Sequence, residues 1–252
     1  MKTIDGQALV GGPAGAGLSP AVPHRAGSPW DLLAGSRARA WSRGASRGAN
    51  RGGYGRGPKR ALDLLLVALL ALPVLMTVLP LMALVALDGH APLFLQARRG
   101  RGGRVFRMVK LRTMRHDAEA VLEATLAADP AARAEWDRDQ KLRHDPRITP
   151  VGRLLRRTSL DELPQLLNVA LGQMSMVGPR PMLPSQRPYY PGDEYFSLRP
   201  GITGLWQVSV RNEASFAERA GCDRRYLESL SLGADLAILG RTFGVVLAAT
   251  GR

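Results

Sequence analysis

From Leu64 to Leu87 the chain runs for 24 residues without a formal charge, and any fold must first find a place for that segment. As a straight helix it would be roughly 36 Å long, against a bilayer hydrocarbon core of about 30 Å. Two prolines, Pro73 and Pro80, interrupt it. Each removes a backbone donor and crowds the preceding turn, at about 3 kcal/mol unless the break is accommodated. Both flanks are basic, with Lys59 and Arg60 before the run and Arg98, Arg99, Arg101 and Arg104 after it. Lys and Arg accumulate on the cytoplasmic side of membrane segments, so a simple crossing would put one cluster on the wrong side. A helix broken near Pro73 that dips in and returns to the same face satisfies both. Residues 58–90 are therefore expected to form a re-entrant membrane helix; a spanning helix and a buried soluble helix are the alternatives.

The residues ahead of it point to a tail. Through Arg60 they hold ten Lys or Arg against Asp5 and Asp31, with many Gly, Ala, Ser and Pro and few aliphatics. Such a segment buries too little apolar surface to offset its ordering entropy, so 1–57 reads as a disordered basic tail. Met1–Val10 has no apolar stretch of signal-peptide length. The Arg-Gly repeats around Arg43, Arg47 and Arg51 look like an RNA-binding tract, but no folded RNA-binding motif follows, and no nucleic-acid partner is expected. The net charge of +14 favours polyanions such as anionic headgroups or phosphorylated substrates. Cys222 is the only cysteine and the four histidines are scattered, which excludes a disulfide framework and a zinc cluster. A metal here would be a hard ion on oxygen ligands, magnesium or manganese.

Residues 91–252 read as a cytoplasmic catalytic domain. Phe94–Arg112 has the pattern of a hairpin about the turn Gly100-Arg101-Gly102-Gly103. Lys110, Arg112 and Arg115 follow as a basic cluster, then a helix with Ala118, Val121, Leu122 and Leu126 on one face, ended by Pro130. Another helix is expected from about Val151, with Arg153, Arg156 and Arg157 as its basic face. Next come Asp161 and Glu162. Two adjacent carboxylates among arginines can hold a divalent cation and offer a nucleophile to phosphorus. They also fit a capping box from Ser159. Pro164 argues against that box, because a helix starting near Asp161 leaves Pro164 in its first turn, where no donor is required. Arg180, held extended between Pro179 and Pro181, suits a guanidinium aimed at phosphate, or is simply part of a stiffened loop. Arg199–Val208 reads as a tight turn and a short strand; its Trp206 is a core residue or a nucleobase platform. An apolar helix from about Leu236 to Leu247 closes the chain.

Six blocks in order resemble the bacterial sugar transferases, the monotopic polyprenyl-phosphate phosphoglycosyl transferases. They are Lys59-Arg60-Ala61-Leu62-Asp63; Arg98-x-Gly100 through Lys110-Leu111-Arg112-Thr113-Met114; Asp145-Pro146-Arg147-Ile148-Thr149; Arg157 through Gln165; Met176-Val177-Gly178-Pro179-Arg180-Pro181; and Arg199 through Val208. The resemblance covers about residues 58–250. It implies transfer of a sugar-1-phosphate from a UDP-sugar to polyprenyl (undecaprenyl) phosphate, with release of UMP, as the first step of exopolysaccharide assembly. Asp161 matches the nucleophile that forms an aspartyl-phosphosugar intermediate, and Glu162 the magnesium ligand. Arg180 matches a diphosphate contact, with Arg156, Lys59, Arg60, Lys110 and Arg112 as further phosphate partners. A direct transfer without covalent intermediate is the alternative within the enzyme; outside it stands a membrane-attached, Arg-rich module that binds nucleic acid or lipid without catalysis.

The resemblance also implies residence at the inner membrane, with the catalytic domain facing the cytoplasm and downstream glycosyltransferases as partners. Leu72-Pro73 stands where some members have Ser-Pro, Leu111 where Phe is usual, and Val210 where Gly is usual. The fold expected is α+β and mainly helical: a monotopic membrane protein with a proline-broken re-entrant helix, a small β-hairpin and interfacial amphipathic helices.

Overall fold

The computed structural model describes residues 53–55, 57–139, 142–209 and 216–247. The tail expected over 1–57 falls almost wholly outside these residues, as does Val210. Tyr54 does not: its hydroxyl donates to Asp235 at 2.8 Å, and its carbonyl accepts from the Lys59 amide at 2.9 Å.

The architecture is mainly helical, with two small two-stranded sheets. Helix α1 (Pro58–Val85) is followed by β1 (Leu93–Arg99) and β2 (Val105–Leu111), which pair antiparallel from Leu93↔Leu111 to Arg99↔Val105. The expected glycine turn joins them, and Gly102 and Gly103 take positive φ there (65° and 76°) that a side chain would resist. Then come α2 (Ala118–Ala128), α3 (Pro130–Asp139) and α4 (Pro150–Thr158). Thr149 caps α4, its hydroxyl accepting from the Gly152 amide at 2.9 Å. A Cβ on Gly152 would meet the Thr113 carbonyl, so glycine lets α4 press against the exit of β2.

Helix α5 (Gln165–Ala170), β3 (Ser175–Val177), a short helical turn α6 (Glu194–Ser197) and β4 (Gly201–Thr203) follow. Strands β3 and β4 pair parallel. The tight turn and short strand expected over Arg199–Val208 are present as β4, and the chain then forms a helical turn, α7, over Leu205–Ser209; Ser209 Oγ bonds back to the Leu205 carbonyl at 2.6 Å. Helices α8 (Phe216–Glu228) and α9 (Leu232–Leu247) complete the described residues.

Among the described residues α1, extended through Asp88, is the one helix long and apolar enough to cross a membrane. It runs through Pro73 and Pro80 without losing helical structure, so the break expected at Pro73 is not an interruption of the helix. Both prolines lie on its exposed side. Thr77 Oγ1 donates to the Pro73 carbonyl at 2.9 Å, a back-bond of the kind that bends helices and supplies polar support near the missing Ser of a Ser-Pro pair. One stripe packs on the body along the whole helix. Leu66, Val67, Leu70 and Val74 join the core around Val169, Met174 and Val177, while Val78 and Val85 join Leu111 and Leu155.

The opposite stripe, including Leu65, Leu69, Leu72, Leu75 and Met76, is exposed. A soluble protein would not leave so large an apolar surface in water; membrane association accounts for it.

Both ends of α1 are tied to the same body. Lys59, 8 % exposed, forms an ion pair with Asp235 at 2.7 Å and donates to the Tyr226 hydroxyl at 2.9 Å. Arg60 donates to the Val169 and Ala170 carbonyls at 2.6 and 2.8 Å, and Asp63 accepts from Ser175 Oγ and the Met176 amide, both at 2.9 Å. At the far end Arg112 donates to the Val85 carbonyl at 3.0 Å and grips Asp88 at 2.6 and 2.7 Å.

Candidate active site

Asp161 and Glu162 stand on a turn of their own. Helix α4 ends on Ser159, whose φ of 58° makes it the one non-glycine residue with positive φ among those described. That conformation disfavours an L-residue by about 1–2 kcal/mol, and here it reverses the chain. Residues Leu160–Glu162 then form one 3-10 turn, and α5 begins at Gln165 with Pro164 as its N-cap. The Ser159 side chain makes no capping bond, so the capping-box alternative is not what the acid pair does. The carboxylates also precede α5 rather than occupying its first turn, so the dipole argument for keeping them charged gives way to their neighbours.

Lys110, projecting from β2, is the nearest cation. Its Nζ lies 2.7 Å from Glu162 Oε1 and 4.0 Å from Asp161 Oδ2. Asp161 is buried, 8 % exposed, and burial pushes its carboxyl above the ordinary range, with Glu162 adding to the rise while Lys110 and Arg156 oppose it. For Glu162 burial pushes the same way, but Lys110, by charge and hydrogen bond, and then Arg180 and Arg98 outweigh it, leaving the carboxyl below its usual range. Two adjacent acids are thereby set apart: one is an ionised, cation-paired group, the other a carboxylate poor in partners.

The acid pair opens into a cleft of about 2710 Å3, also lined by Lys110, Arg112, Arg156, Arg180 and Trp206. That exceeds the roughly 300–1,000 Å3 of a single-ligand pocket. Leu70 and Val74 of α1 border the same cleft, so it reaches from the charged turn to the apolar helix. Arg156 is oriented by its Nε bond to Thr113 Oγ1 at 2.9 Å. Arg180 stacks on the Trp206 ring, 5.4 Å from its centroid, and its own carbonyl accepts from Arg219. Trp206, 9 % exposed and part of the cleft wall, is thus both core and platform, with a cation rather than a base upon it.

The other sequence candidates lie elsewhere. Lys59 and Arg60, expected among the phosphate partners, do not line the cleft; they stand at the base of α1 in the contacts already given. Arg112 reaches the cleft, but its guanidinium is committed to Asp88 and to carbonyls at the end of α1.

Two contributors escaped the sequence reading. Thr113 orients Arg156. Arg98 donates to the Pro181 carbonyl at 3.1 Å and to Gln96 at 2.6 Å, and burial, with Arg180 nearby, brings its guanidinium down to about 10. Its position two residues before the Gly100 turn was the available signal.

Comparison with known proteins agrees with this geometry. Residues 54–249 match the bacterial sugar transferase family. The chain belongs to that family. It is 50% identical over 194 residues to a UDP-galactose-lipid carrier transferase of Erwinia amylovora, covering 75% of this chain and 40% of that one. An undecaprenyl-phosphate galactose phosphotransferase of Salmonella typhimurium is 48% identical over 162 residues, 64% of this chain and 34% of the relative. The chain therefore spans well under half the length of these two relatives. The exopolysaccharide production protein ExoY of Sinorhizobium fredii is 42% identical over 196 residues, 77% of this chain and 87% of ExoY. Family membership matches the resemblance carried by the six sequence blocks, and Asp161, Glu162 and Arg180, each from one of those blocks, line the same cleft.

Proposed function

We propose that this chain transfers a sugar-1-phosphate from a UDP-sugar to a membrane polyprenyl phosphate, releasing UMP, in the assembly of an exopolysaccharide. The observation that carries the reading is one cleft joining a buried carboxylate, a set of fixed cations and the apolar membrane helix. In the first step an Asp161 carboxylate oxygen attacks the sugar-bearing phosphorus. The bridging P–O bond breaks and its electron pair leaves with UMP, so that Asp161 becomes an acyl phosphate carrying the sugar. In the second step a phosphate oxygen of the polyprenyl phosphate attacks the same phosphorus, releasing Asp161 and forming the polyprenyl diphosphate sugar. Arg180, Arg156 and Lys110 offset the diphosphate charge, and the stacking of Arg180 on Trp206 fixes its direction before substrate arrives. Leu70 and Val74 give the prenyl chain an apolar approach to the turn.

The donor set fits magnesium. Among the described residues no cluster of three acidic, His or Cys side chains exists, but this ion is commonly held by one or two carboxylates with waters and substrate phosphates completing its shell. Glu162, a third exposed and ionised, would hold it. When bound, magnesium neutralises the diphosphate oxygens and eases departure of UMP.

Both ends of α1 are bound to one body, which favours a re-entrant or membrane-surface course over a crossing, with both flanks on the cytoplasmic face. Protease-accessible tags at residues 58 and 98 are expected on the same side of sealed vesicles; opposite sides would defeat the re-entrant course. For the chemistry, detergent-solubilised protein with magnesium and undecaprenyl phosphate is expected to release UMP from one member of a UDP-sugar panel. Silence across the panel from folded, membrane-associated protein would sink the transferase reading.

A further inference from the structure

A second group of cations lies outside the cleft, where α1 leaves the body. Arg199 Nε donates to the Gly172 carbonyl at 2.8 Å, and Arg60 Nη2 lies 3.6 Å from the position a Gly172 Cβ would take. Two guanidinium groups therefore converge on the turn that ends α5. Arg101 lies in the β1–β2 turn, which packs against α6 two residues before Arg199, and Arg60 and Arg101 both depress the Arg199 guanidinium, after burial. Asp63 is the acid felt at Arg199, and it is buried and bonded to Ser175 and Met176. Arg101 is exposed. Beside this charge stand exposed leucines: Leu167 on α5 and Leu171 at its C-cap, 55% and 63% exposed, and Leu64 and Leu65, 44% and 65%, one turn beyond Arg60 on α1.

We infer that Arg60, Arg101 and Arg199 form a docking site for the headgroup phosphate of an anionic phospholipid. A phosphate needs several donors and a net positive field, and bidentate guanidinium groups meet both needs. A nucleic acid or an acidic protein would be served by the charge but would leave the adjoining leucines in water. A lipid satisfies both: its phosphate lies on the arginines and its acyl chains run along Leu64, Leu65, Leu167 and Leu171. The charge fixes how deeply the base of α1 sits, because the arginines hold to the headgroup layer while the leucines sink below it. This site is separate from the transfer chemistry and does not depend on it.

The test uses the full chain in neutral detergent, titrated with dioctanoyl phosphatidylglycerol or dioctanoyl phosphatidylcholine while the thermal midpoint is followed. The wild type is expected to gain midpoint with the glycerol lipid and not with the choline lipid, and to lose the gain in high salt. Arg101→Gln with Arg199→Gln is expected to raise the half-saturating lipid concentration about tenfold or more. Arg101→Gln alone changes an exposed turn residue, so it keeps the fold and should give a smaller shift in the same direction. Equal gains with both lipids, or half-saturation unchanged in both variants, overturns the site. A third arm with undecaprenyl phosphate decides the source: a gain with it that the glycerol lipid does not reproduce, and that Arg101→Gln with Arg199→Gln removes, would assign the arginines to the acceptor and overturn the phospholipid reading.

Discussion

Asp161→Asn is expected to lower sugar-phosphate transfer by about 10^4-fold or more, while leaving the protein at least as stable as the wild type. The first half follows from the loss of the attacking oxygen: an amide cannot form the acyl phosphate. The second follows from burial. The Asp161 carboxyl sits above its ordinary range in the fold, so the folded state favours its protonated form. A carboxyl with a raised folded pKa contributes stability below its unfolded value, and that contribution is lost as pH rises through the folded value. At neutral pH the ionised side chain is thus a net cost that a neutral amide of the same shape removes, as at other sites where function opposes stability. Thermal melts of the two proteins at pH 7 check this, and a clearly lower midpoint for the variant would contradict it.

The covalent step has its own readout. Wild-type protein given labelled UDP-sugar without acceptor is expected to retain label that hydroxylamine releases, as an acyl phosphate should; the variant retains none. Wild-type turnover with no trappable label would favour direct transfer. Glu162→Gln, by contrast, keeps Asp161 and is expected to show its defect chiefly in magnesium dependence.

Much of this site was legible from residue order, because its parts come from local rules. The Gly100–Gly103 turn forces a backbone solution within a few residues, and the structure adopts it; Pro164 does keep a helix from running through it, but as the N-cap of α5 instead of inside a first turn opened by Asp161. What the sequence could not supply was partnership across distance. Lys59 and Lys110 are both lysines among arginines in the chain, yet one meets Asp235 and the other Glu162. The choice rests on which helix packs against which strand, and local spacing carries no record of that. The prolines of α1 show the reverse failure. They carry a strong local breaking signal, but both face away from the body, where a missing bond and a Thr77 back-bond let the helix continue. Ser159 gave no signal at all, since its left-handed backbone is imposed by the need to turn Asp161 into the cleft from the end of α4.

Lys110→Ala is expected to cut kcat/KM by about 10^2-fold and to move the acid limb of its pH profile to higher pH. Lys110 favours the charged form of both carboxylates, lowering Asp161 against the rise from burial and holding Glu162 below its usual range. Without the ammonium both rise, so at any acidic pH a larger fraction of Asp161 carries a proton and cannot attack. Part of the lost rate should therefore return as pH is raised, until only the missing charge against the diphosphate remains. Lys110→Arg restores the charge and should bring the limb back toward its wild-type position while recovering less of the rate, because a rigid planar fork does not place its charge where the compact ammonium does. Stability follows the depressed Glu162 with a defined sign. The Lys110–Glu162 pair contributes above the unfolded carboxyl value and is lost as pH falls through the folded one, so the melting difference between wild type and Lys110→Ala should be larger at neutral pH and shrink on acidification. A uniform rate loss with an unmoved acid limb would place Lys110 on the substrate alone and remove it from control of the acid pair.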